Sequence, residues 1–206
     1  VELKNVFHSC KGIMIDSLNE FELTKEECEF NYRSSIFKST YKNKTIITSV
    51  KLILTKSKHN FNIEYKGLKE KLLGKELTIK KISDQVIRIR KSKLPDPKSY
   101  GNCGSFFKNP LVDMVLFEEL KSRYPEIPSY QVDDEKVKVP AGWLIESAGW
   151  KGTTVGNRYG VHENQALVLV NYGGATGEDI YELSELIIDD IIAKYGIHLE
   201  REVNIY

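Results

Sequence analysis

The sequence predicts an α+β fold, because strand-like and helix-like segments follow one another without a strict βαβ alternation. The clearest strand is predicted at residues 45–54, where β-branched side chains dominate. The clearest helix is predicted at residues 176–195, with Thr176 as its N-cap and Gly196 as its C-terminal glycine. The sequence has no internal repeat and no low-complexity segment.

The remaining elements follow from hydrophobic periodicity and turn residues. Strands are predicted at residues 6–15, 21–23, 166–171 and 199–205, and a hairpin at residues 130–139. Shorter helices are predicted at residues 78–91, 113–124 and 140–149, and Thr24 and Glu27 have the spacing of a capping box. The inward side chains expected in the last helix are Ile180, Leu183, Leu186, Ile187 and Ile191.

Composition indicates a globular chain with a balanced charge. Of 206 residues, 41% are hydrophobic and 29% charged, which separates the chain from disordered sequences. Thirty basic and 29 acidic residues leave a net charge of +1, so nothing in the balance favours nucleic acid or an anionic membrane as a partner. No apolar run approaches the roughly 20 residues that span a bilayer.

The cysteines indicate the redox compartment, and the first residue bears on how the chain begins. Cys10, Cys28 and Cys103 are odd in number and widely spaced, which argues against a disulfide framework or a zinc site and favours a reducing cytoplasm. The first residue, Val1, is not a methionine and no helix cap follows it. We therefore expect a chain cut within a domain, or processed at its N-terminus.

A domain boundary is predicted near residue 94. Pro95 and Pro97 remove backbone donors and constrain the chain, so the preceding helix cannot continue through them. Residues 1–93 then form one part of the fold and residues 94–197 a second.

The segment GNCGSFFKNP at residues 101–110 is the most unusual in the chain. Its glycines permit tight backbone geometry close to a ligand. Ser105 and Asn109 lie four residues apart, so in an extended segment both would face one side. The segment lacks the Walker and G-x-G-x-x-G patterns, and its spacing alone favours a structural turn over a ligand loop.

Other motifs have ordinary structural interpretations when each is taken alone. Arg33 is expected to be a solvated surface residue, and His162-Glu163 does not complete the H-E-x-x-H pattern of a zinc protease. Residues 173–177 fit a flexible loop and N-cap better than an anion site. Residues 200–202 would usually be an exposed charged strand. No metal site is predicted.

Taken together, these segments resemble the family of UDP-N-acetylenolpyruvoylglucosamine reductases. The ten-residue segment at 101–110 is similar to the family signature G-N-A-G-S-F-F-K-N-P. Further motifs agree in order and approximate spacing: YRSSIFK at 32–38, KLPDPK at 93–98, AGWLIESAGWKG at 141–152, VHENQALVLVN at 161–171 and LEREV at 199–203.

The resemblance implies a flavoenzyme of peptidoglycan precursor synthesis. In this family NADPH reduces bound FAD, which delivers hydride to UDP-N-acetylglucosamine enolpyruvate to give UDP-N-acetylmuramate. Ser105 matches the serine that supplies the proton, Arg33 the arginine near the substrate carboxylate, and Glu202 the glutamate assigned to the same intermediate. A carboxylate there must be protonated or neutralised by a cation to help.

The resemblance also implies a set of substrate-binding residues. Those that match positions holding the UDP part or lining the same cleft are Lys93, Asn109, Tyr130, Lys138 and Gln165. Tyr65 falls where one subclass carries a substrate-covering tyrosine loop. Cys103 replaces the usual alanine beside the serine, which suggests redox sensitivity.

The resemblance implies that most of the flavin-binding part is missing. Residues 1–93 would be the remainder of an FAD-binding-type α+β domain, 94–197 an α+β substrate-binding domain, and 198–206 a strand returning to the flavin domain. We expect weak FAD binding and no turnover by the chain alone. No obligate protein partner is expected. The alternatives are a non-catalytic UDP-sugar-binding module and an interaction domain without a small-molecule site.

Overall fold

The computed structural model describes residues 2–64 and 67–206. The chain divides into two compact units, one ending at Ile79 and the other beginning at Lys80. The helix that begins at Ile79 therefore belongs almost entirely to the second unit. The predicted domain boundary at residue 94 and the return of residues 198–206 to a flavin domain stay predictions.

The first unit is built on a three-stranded antiparallel sheet. Its strands are β1 (Phe7–Met14), β2 (Glu20–Thr24) and β3 (Thr45–Leu52), in the order β2-β1-β3. The strands predicted at residues 6–15, 21–23 and 45–54 are confirmed, within one or two residues at most of their ends. A short helix, α1 (Leu68–Leu72), also belongs to this unit.

A small aromatic and thiol core packs against one side of β1. Phe7, Cys10 and Cys28 are buried, and the half-buried rings of Phe21 and Phe30 pack against them. The Sγ atoms of Cys10 and Cys28 lie 3.9 Å apart, and both thiols are free. Burial, and then the neighbouring Cys10, raise the pKa of the Cys28 thiol to about 12, so it is a poor nucleophile at neutral pH.

The capping box predicted from Thr24 and Glu27 is formed. The Glu27 carboxylate accepts hydrogen bonds from the backbone and hydroxyl of Thr24 at 2.8 and 2.9 Å, while the Glu27 amide donates to Thr24 Oγ1. These bonds to Thr24 lower the pKa of Glu27. The box closes the turn between β2 and Cys28, which brings that cysteine back to β1.

The second unit contains two small antiparallel sheets and four helices. One sheet has the order β4-β10-β9-β8 and the other β5-β7-β6. The strands are β4 (Gly101–Ser105), β5 (Leu111–Asp113), β6 (Tyr130–Gln131), β7 (Lys136–Lys138), β8 (Thr154–Val155), β9 (Tyr159–Val161) and β10 (Val168–Asn171). The helices are α2 (Ile79–Lys93), α3 (Met114–Arg123), α4 (Ala141–Ser147) and α5 (Gly177–Tyr195).

Helix α5 has the ends that the sequence predicts. Thr176 and Asp179 form a reciprocal capping box, with the Asp179 amide 3.1 Å from Thr176 Oγ1. Gly196 follows the last turn at a φ of 66°, which a glycine adopts without strain. These caps fix where the helix begins and where it ends.

The core of the second unit lies between α5 and the sheet of β10. Leu183, Ile187 and Ile191 are buried as predicted, but the prediction for Leu186 is wrong, since 56% of this residue is exposed. Ser184 and Ile188 are buried instead. Positions three and four residues apart share a helix face, so 184, 188 and 191 extend the stripe to the side opposite Leu186.

The strand predicted at residues 199–205 is wrong as a continuous element. The only pairing described there is one antiparallel bridge, between Arg201 and Phe107, with backbone hydrogen bonds on either side of it. The amide of Lys108 donates to the Glu200 carbonyl at 2.8 Å, and the amide of Glu202 donates to the Phe106 carbonyl at 2.8 Å. In the described parts of the chain, no helix has the length and apolar character needed to cross a bilayer.

Candidate active site

The segment at residues 101–110 begins as an ordered strand with a tight turn. β4 pairs antiparallel with β10, so that Ser105 lies opposite Val168. Asn102 accepts a hydrogen bond from the Gly104 amide at 3.1 Å, and Gly104 has a φ of 72°, where a side chain would be strained. This local turn leads into Ser105, which ends the strand and is exposed.

Two buried rings hold the backbone that follows the serine. Phe106 and Phe107 are 3% and 1% exposed, and their ring centroids lie 5.3 Å apart in an edge-to-face arrangement. The Phe106 amide donates to the Leu167 carbonyl at 2.7 Å. The serine is thus an exposed hydroxyl next to an anchored stretch of chain, as a proton donor in a site requires.

Glu202 lies on the stretch paired with this segment. Its amide donates to the carbonyl of Phe106, the residue that follows Ser105. Beside it, Lys108 forms an ion pair with Glu200. The structure therefore brings two of the three predicted catalytic residues, Ser105 and Glu202, onto neighbouring hydrogen-bonded stretches of one unit.

A cavity of about 340 Å³ opens beside this pairing. Its walls come from β4, β10, the start of α5 and residues 203–205; they include Cys103, Phe106, Asn171, Thr176, Tyr181 and Val203. Cys103 is exposed and its thiol is free. The lining is mostly apolar with a few amide and hydroxyl groups, the composition usual for a small-molecule site.

Asn109 and Gln165 meet at the start of α4. The side-chain oxygen of Asn109 accepts a hydrogen bond from the Ala141 amide at 2.9 Å. The side-chain oxygen of Gln165 lies close to Gly142, where an added Cβ would come within 3.5 Å of it. The Gln165 side-chain oxygen also accepts from the Leu167 amide at 3.4 Å. Both predicted substrate residues therefore bond to the local backbone, and Asn109 keeps its amide hydrogens for a further acceptor.

Tyr130 and Lys138 form a cross-strand pair on the neighbouring sheet. They face each other in the β6–β7 register, and the Lys138 ammonium lies 5.9 Å from the centroid of the Tyr130 ring. Tyr130 is 60% exposed. The Val139 amide donates to the Pro110 carbonyl at 3.0 Å, which places this pair next to Asn109. Four predicted substrate residues are therefore grouped around α4 and β7.

Arg33 lies in the first unit, within a tight turn. The turn is closed by a bridge between Asn31 and Ser34, and Arg33 has a φ of 52°, uncommon for a residue with a side chain. The Lys38 ammonium donates to the Arg33 carbonyl at 3.2 Å. The turn lines a cavity of about 560 Å³ together with Lys4, Lys38 and Glu2, and the Glu2 carboxylate lies 3.1 Å from the Lys4 ammonium as an ion pair. Cations therefore outnumber anions in the lining of this cavity.

Two predicted site residues remain, Lys93 and Tyr65. Lys93 is the last residue of α2 and is exposed. Tyr65 lies outside the described residues. Over residues 2–64 and 67–206, no group of three or more His, Cys, Asp or Glu side chains is placed to hold a metal ion.

Sequence reasoning missed Arg201, which was interpreted as part of an exposed charged strand. Only 19% of its side chain is exposed, because it packs on α5 and pairs with Glu185. The sequence does contain a sign of this burial. In an extended stretch successive side chains face opposite sides, so Arg201 faces away from the side of Glu200 and Glu202.

Comparison with known proteins gives one consistent result. The family model described as UDP-N-acetylenolpyruvoylglucosamine reductase, C-terminal domain, matches residues 96–206. The reductase of that name from Flavobacterium johnsoniae is 47% identical over 99% of this chain and 61% of its own length. Those from Amoebophilus asiaticus and Pseudomonas putida are 44% and 42% identical, each over 100% of this chain and 61% of its own length.

A solved structure shows the same fold. The crystal structure of UDP-N-acetylenolpyruvylglucosamine reductase from Thermus caldophilus aligns with the whole chain at a TM-score of 0.58 and 21% identity. The alignment covers 55% of that chain. The α+β fold class predicted from the sequence is confirmed. The chain spans about 61% of the length of the curated relatives it matches.

Proposed function

We propose a function on the premise that this chain belongs to the UDP-N-acetylenolpyruvoylglucosamine reductase family, as the match over residues 96–206 shows. The proposed activity is that of the whole protein: FAD-mediated, NADPH-dependent reduction of UDP-N-acetylglucosamine enolpyruvate to UDP-N-acetylmuramate in the cytoplasm. The observation that carries it is the hydrogen bond between the Glu202 amide and the Phe106 carbonyl, because it fixes Glu202 beside Ser105.

The nucleotide end of the substrate is assigned to the group around α4 and β7. The exposed ring of Tyr130 is suited to stacking on a base, and the adjacent ammonium of Lys138 to a phosphate. The amide of Asn109 retains its donor hydrogens for the same ligand. Lys93 and Gln165 are proposed to add a cation and a polar contact, and Tyr65 to cover the bound substrate.

The reacting end of the substrate is assigned to Ser105, Glu202 and Arg33. Ser105 gives a proton to the carbon that bears the carboxylate. Arg33 stabilises the negative charge that builds on that carboxylate, which a fixed guanidinium does well. Glu202 assists in a protonated or cation-paired form, because a bare carboxylate would repel the developing charge.

The described residues contain one glycine-rich helix start, at residues 173–177, and it does not suit the pyrophosphate of FAD. Residues 173–176 precede α5 and Gly177 begins it, and the Asp179 carboxylate already supplies a negative charge at this helix start. It accepts from the Thr176 amide at 2.7 Å and the Arg158 guanidinium at 2.7 Å, which hold the pKa of Asp179 low. We therefore propose that a part of the protein outside this chain binds the FAD pyrophosphate. NADPH is the proposed reductant of the flavin.

Binding measurements on two proteins test this proposal. We expect the full-length protein to bind FAD stoichiometrically and to oxidise NADPH beyond one equivalent of the bound flavin only when the enolpyruvyl substrate is added. We expect the isolated 206-residue chain to bind FAD weakly or not at all, because the Asp179 carboxylate would repel a pyrophosphate at the glycine-rich helix start of residues 173–177. Isothermal titration calorimetry and NADPH absorbance measure the two quantities.

The alternatives give different outcomes in the same assays. A non-catalytic UDP-sugar-binding module would bind UDP-sugars by calorimetry, while the full-length protein would not oxidise NADPH with substrate. An interaction domain would show no UDP-sugar effect on the melting temperature of the full-length protein. Tight, stoichiometric FAD binding by the isolated chain would contradict the assignment of the pyrophosphate site.

A further inference from the structure

We propose that Arg201 is a positioning residue, which holds Glu202 beside Ser105 by tying residues 199–203 to helix α5. The inference rests on the proposed function for the role of Glu202, although the contacts of Arg201 stand apart from it. It extends the site by a residue that touches neither substrate nor cofactor.

Three contacts fix the Arg201 guanidinium on α5. Its Nε donates to Ser184 Oγ at 2.8 Å, and its Nη2 lies 2.6 Å from the Glu185 carboxylate as an ion pair outside hydrogen-bond geometry. Its Cζ lies 4.5 Å from the centroid of the Tyr181 ring. Residues 181, 184 and 185 share one helix face, so the planar guanidinium meets all three at once.

The receiving side of this contact is itself held in place. Ser184 is fully buried, and its hydroxyl donates to the Tyr181 carbonyl at 2.6 Å, which leaves its oxygen free to accept from Arg201. A hydrogen bond from the Tyr181 side chain, and then the adjacent Arg201 guanidinium, lower the pKa of Glu185, so its carboxylate stays ionised beside the arginine. Arg201 therefore docks on a preformed surface of α5.

The anchored arginine lies between the two backbone hydrogen bonds that fix Glu202. On one side the Lys108 amide donates to the Glu200 carbonyl, and on the other the Glu202 amide donates to the Phe106 carbonyl, both at 2.8 Å. Because the pairing is a single bridge rather than a strand, these bonds have no further ladder to support them. Leu199 is fully buried in the core and Val203 packs against it. The side chain of Arg201 adds a polar anchor at the residue next to Glu202.

Removing the Arg201 side chain is therefore expected to make the position of Glu202 less well defined, while the second unit stays folded. The Glu185 side chain is 42% exposed, so its carboxylate returns to water when Arg201 is removed, and the ion pair itself contributes little net stability. A displacement of about 1 Å at a reacting group can cost on the order of 100-fold in rate. The large core of the second unit lies around α4, α5 and β10 and does not include Arg201.

The test uses the full-length holoenzyme with Arg201→Ala and Arg201→Lys. For the alanine variant we expect the reoxidation of reduced flavin by substrate to slow about 10- to 100-fold, with flavin reduction by NADPH unchanged. Exchange of the Glu202 amide hydrogen, measured by NMR or mass spectrometry, should accelerate. The lysine variant should recover part of the reoxidation rate and part of the protection of the Glu202 amide, because it keeps the charge but loses the planar guanidinium.

Arg123→Ala is the matched control. Arg123 also pairs with a glutamate, Glu119 at 3.3 Å, and also lies over a tyrosine ring, that of Tyr124 at 5.9 Å, but it lies on α3 away from residues 199–203. It should leave both half-reactions and the Glu202 amide unchanged.

Two outcomes overturn the inference: Glu202 amide exchange that is unchanged in Arg201→Ala, or equal slowing of both half-reactions with a lowered melting temperature. A parent protein that never oxidises NADPH with substrate would refute the proposed function instead, and the amide exchange would still decide whether Arg201 holds Glu202.

Discussion

Replacing Ser105 with alanine in the full-length protein is expected to slow the reoxidation of reduced flavin by substrate about 10²- to 10⁴-fold. Flavin reduction by NADPH should proceed at the parental rate, since no proton from Ser105 is used in that half-reaction. Stopped-flow absorbance of the flavin separates the two steps. The serine is suited to this test because it is exposed and ends β4, so the change removes a hydroxyl without opening a core cavity.

Ser99→Ala is the matched control for this prediction. Ser99 is also exposed and lies shortly before β4, outside the segment at residues 101–110. It should leave both half-reactions unchanged. Equal slowing of both half-reactions in Ser105→Ala would contradict a role in proton supply and would indicate a structural effect of the serine.

Replacing Ile187 with alanine is expected to destabilise the second unit by about 2–5 kcal/mol. Ile187 is fully buried in the core that α5 shares with the sheet of β10, so the truncation leaves a cavity as well as losing buried apolar area. Chemical denaturation followed by circular dichroism measures the change, with the slope of the transition compared between variants.

Leu186→Ala is the control on the same helix. Leu186 is 56% exposed, so the same truncation should change the free energy of unfolding by at most about 0.5 kcal/mol. A loss at Leu186 as large as that at Ile187 would show that the inward face of α5 is assigned wrongly.

Helix α5 also shows how far the sequence could predict the fold. The ends of α5 follow from local chemistry, the reciprocal bonds of Thr176 and Asp179 and the positive φ of Gly196, and both were predictable. Which of two adjacent apolar residues faces inward depends on the partner layer, which no local pattern contains. Leu186 fits the predicted stripe nearly as well as Ile188, but Leu186 is 56% exposed whereas Ile188 is 3% exposed and belongs to the core.

The same limit applies at residues 199–205. Their alternating side chains predict a strand, but a strand needs a neighbour with a matching length of free backbone. Here the available partner is residues 106–108, whose backbone is partly used by Leu167, so one bridge forms in place of a ladder.

Motif resemblance supplies the site residues that we propose, but not the contacts that hold them in place. The resemblance names Ser105 and Glu202, and a backbone hydrogen bond joins Glu202 to Phe106, the residue after Ser105. The bond from Ala141 to Asn109 and the docking of Arg201 on α5 link residues 32 and 17 positions apart along the chain. Such links follow from the tertiary fold and leave no periodic signal.

The central claim is that Ser105, Arg33 and Glu202 act on one carboxylate-bearing double bond, and a crystal structure of the full-length protein with FAD and substrate tests it most directly. We expect the Ser105 oxygen and the Arg33 guanidinium within about 3 Å of their targets on the enolpyruvyl group, with Glu202 in the same cavity. Bound substrate whose enolpyruvyl group lies far from Ser105, with Arg33 directed elsewhere, would contradict the claim.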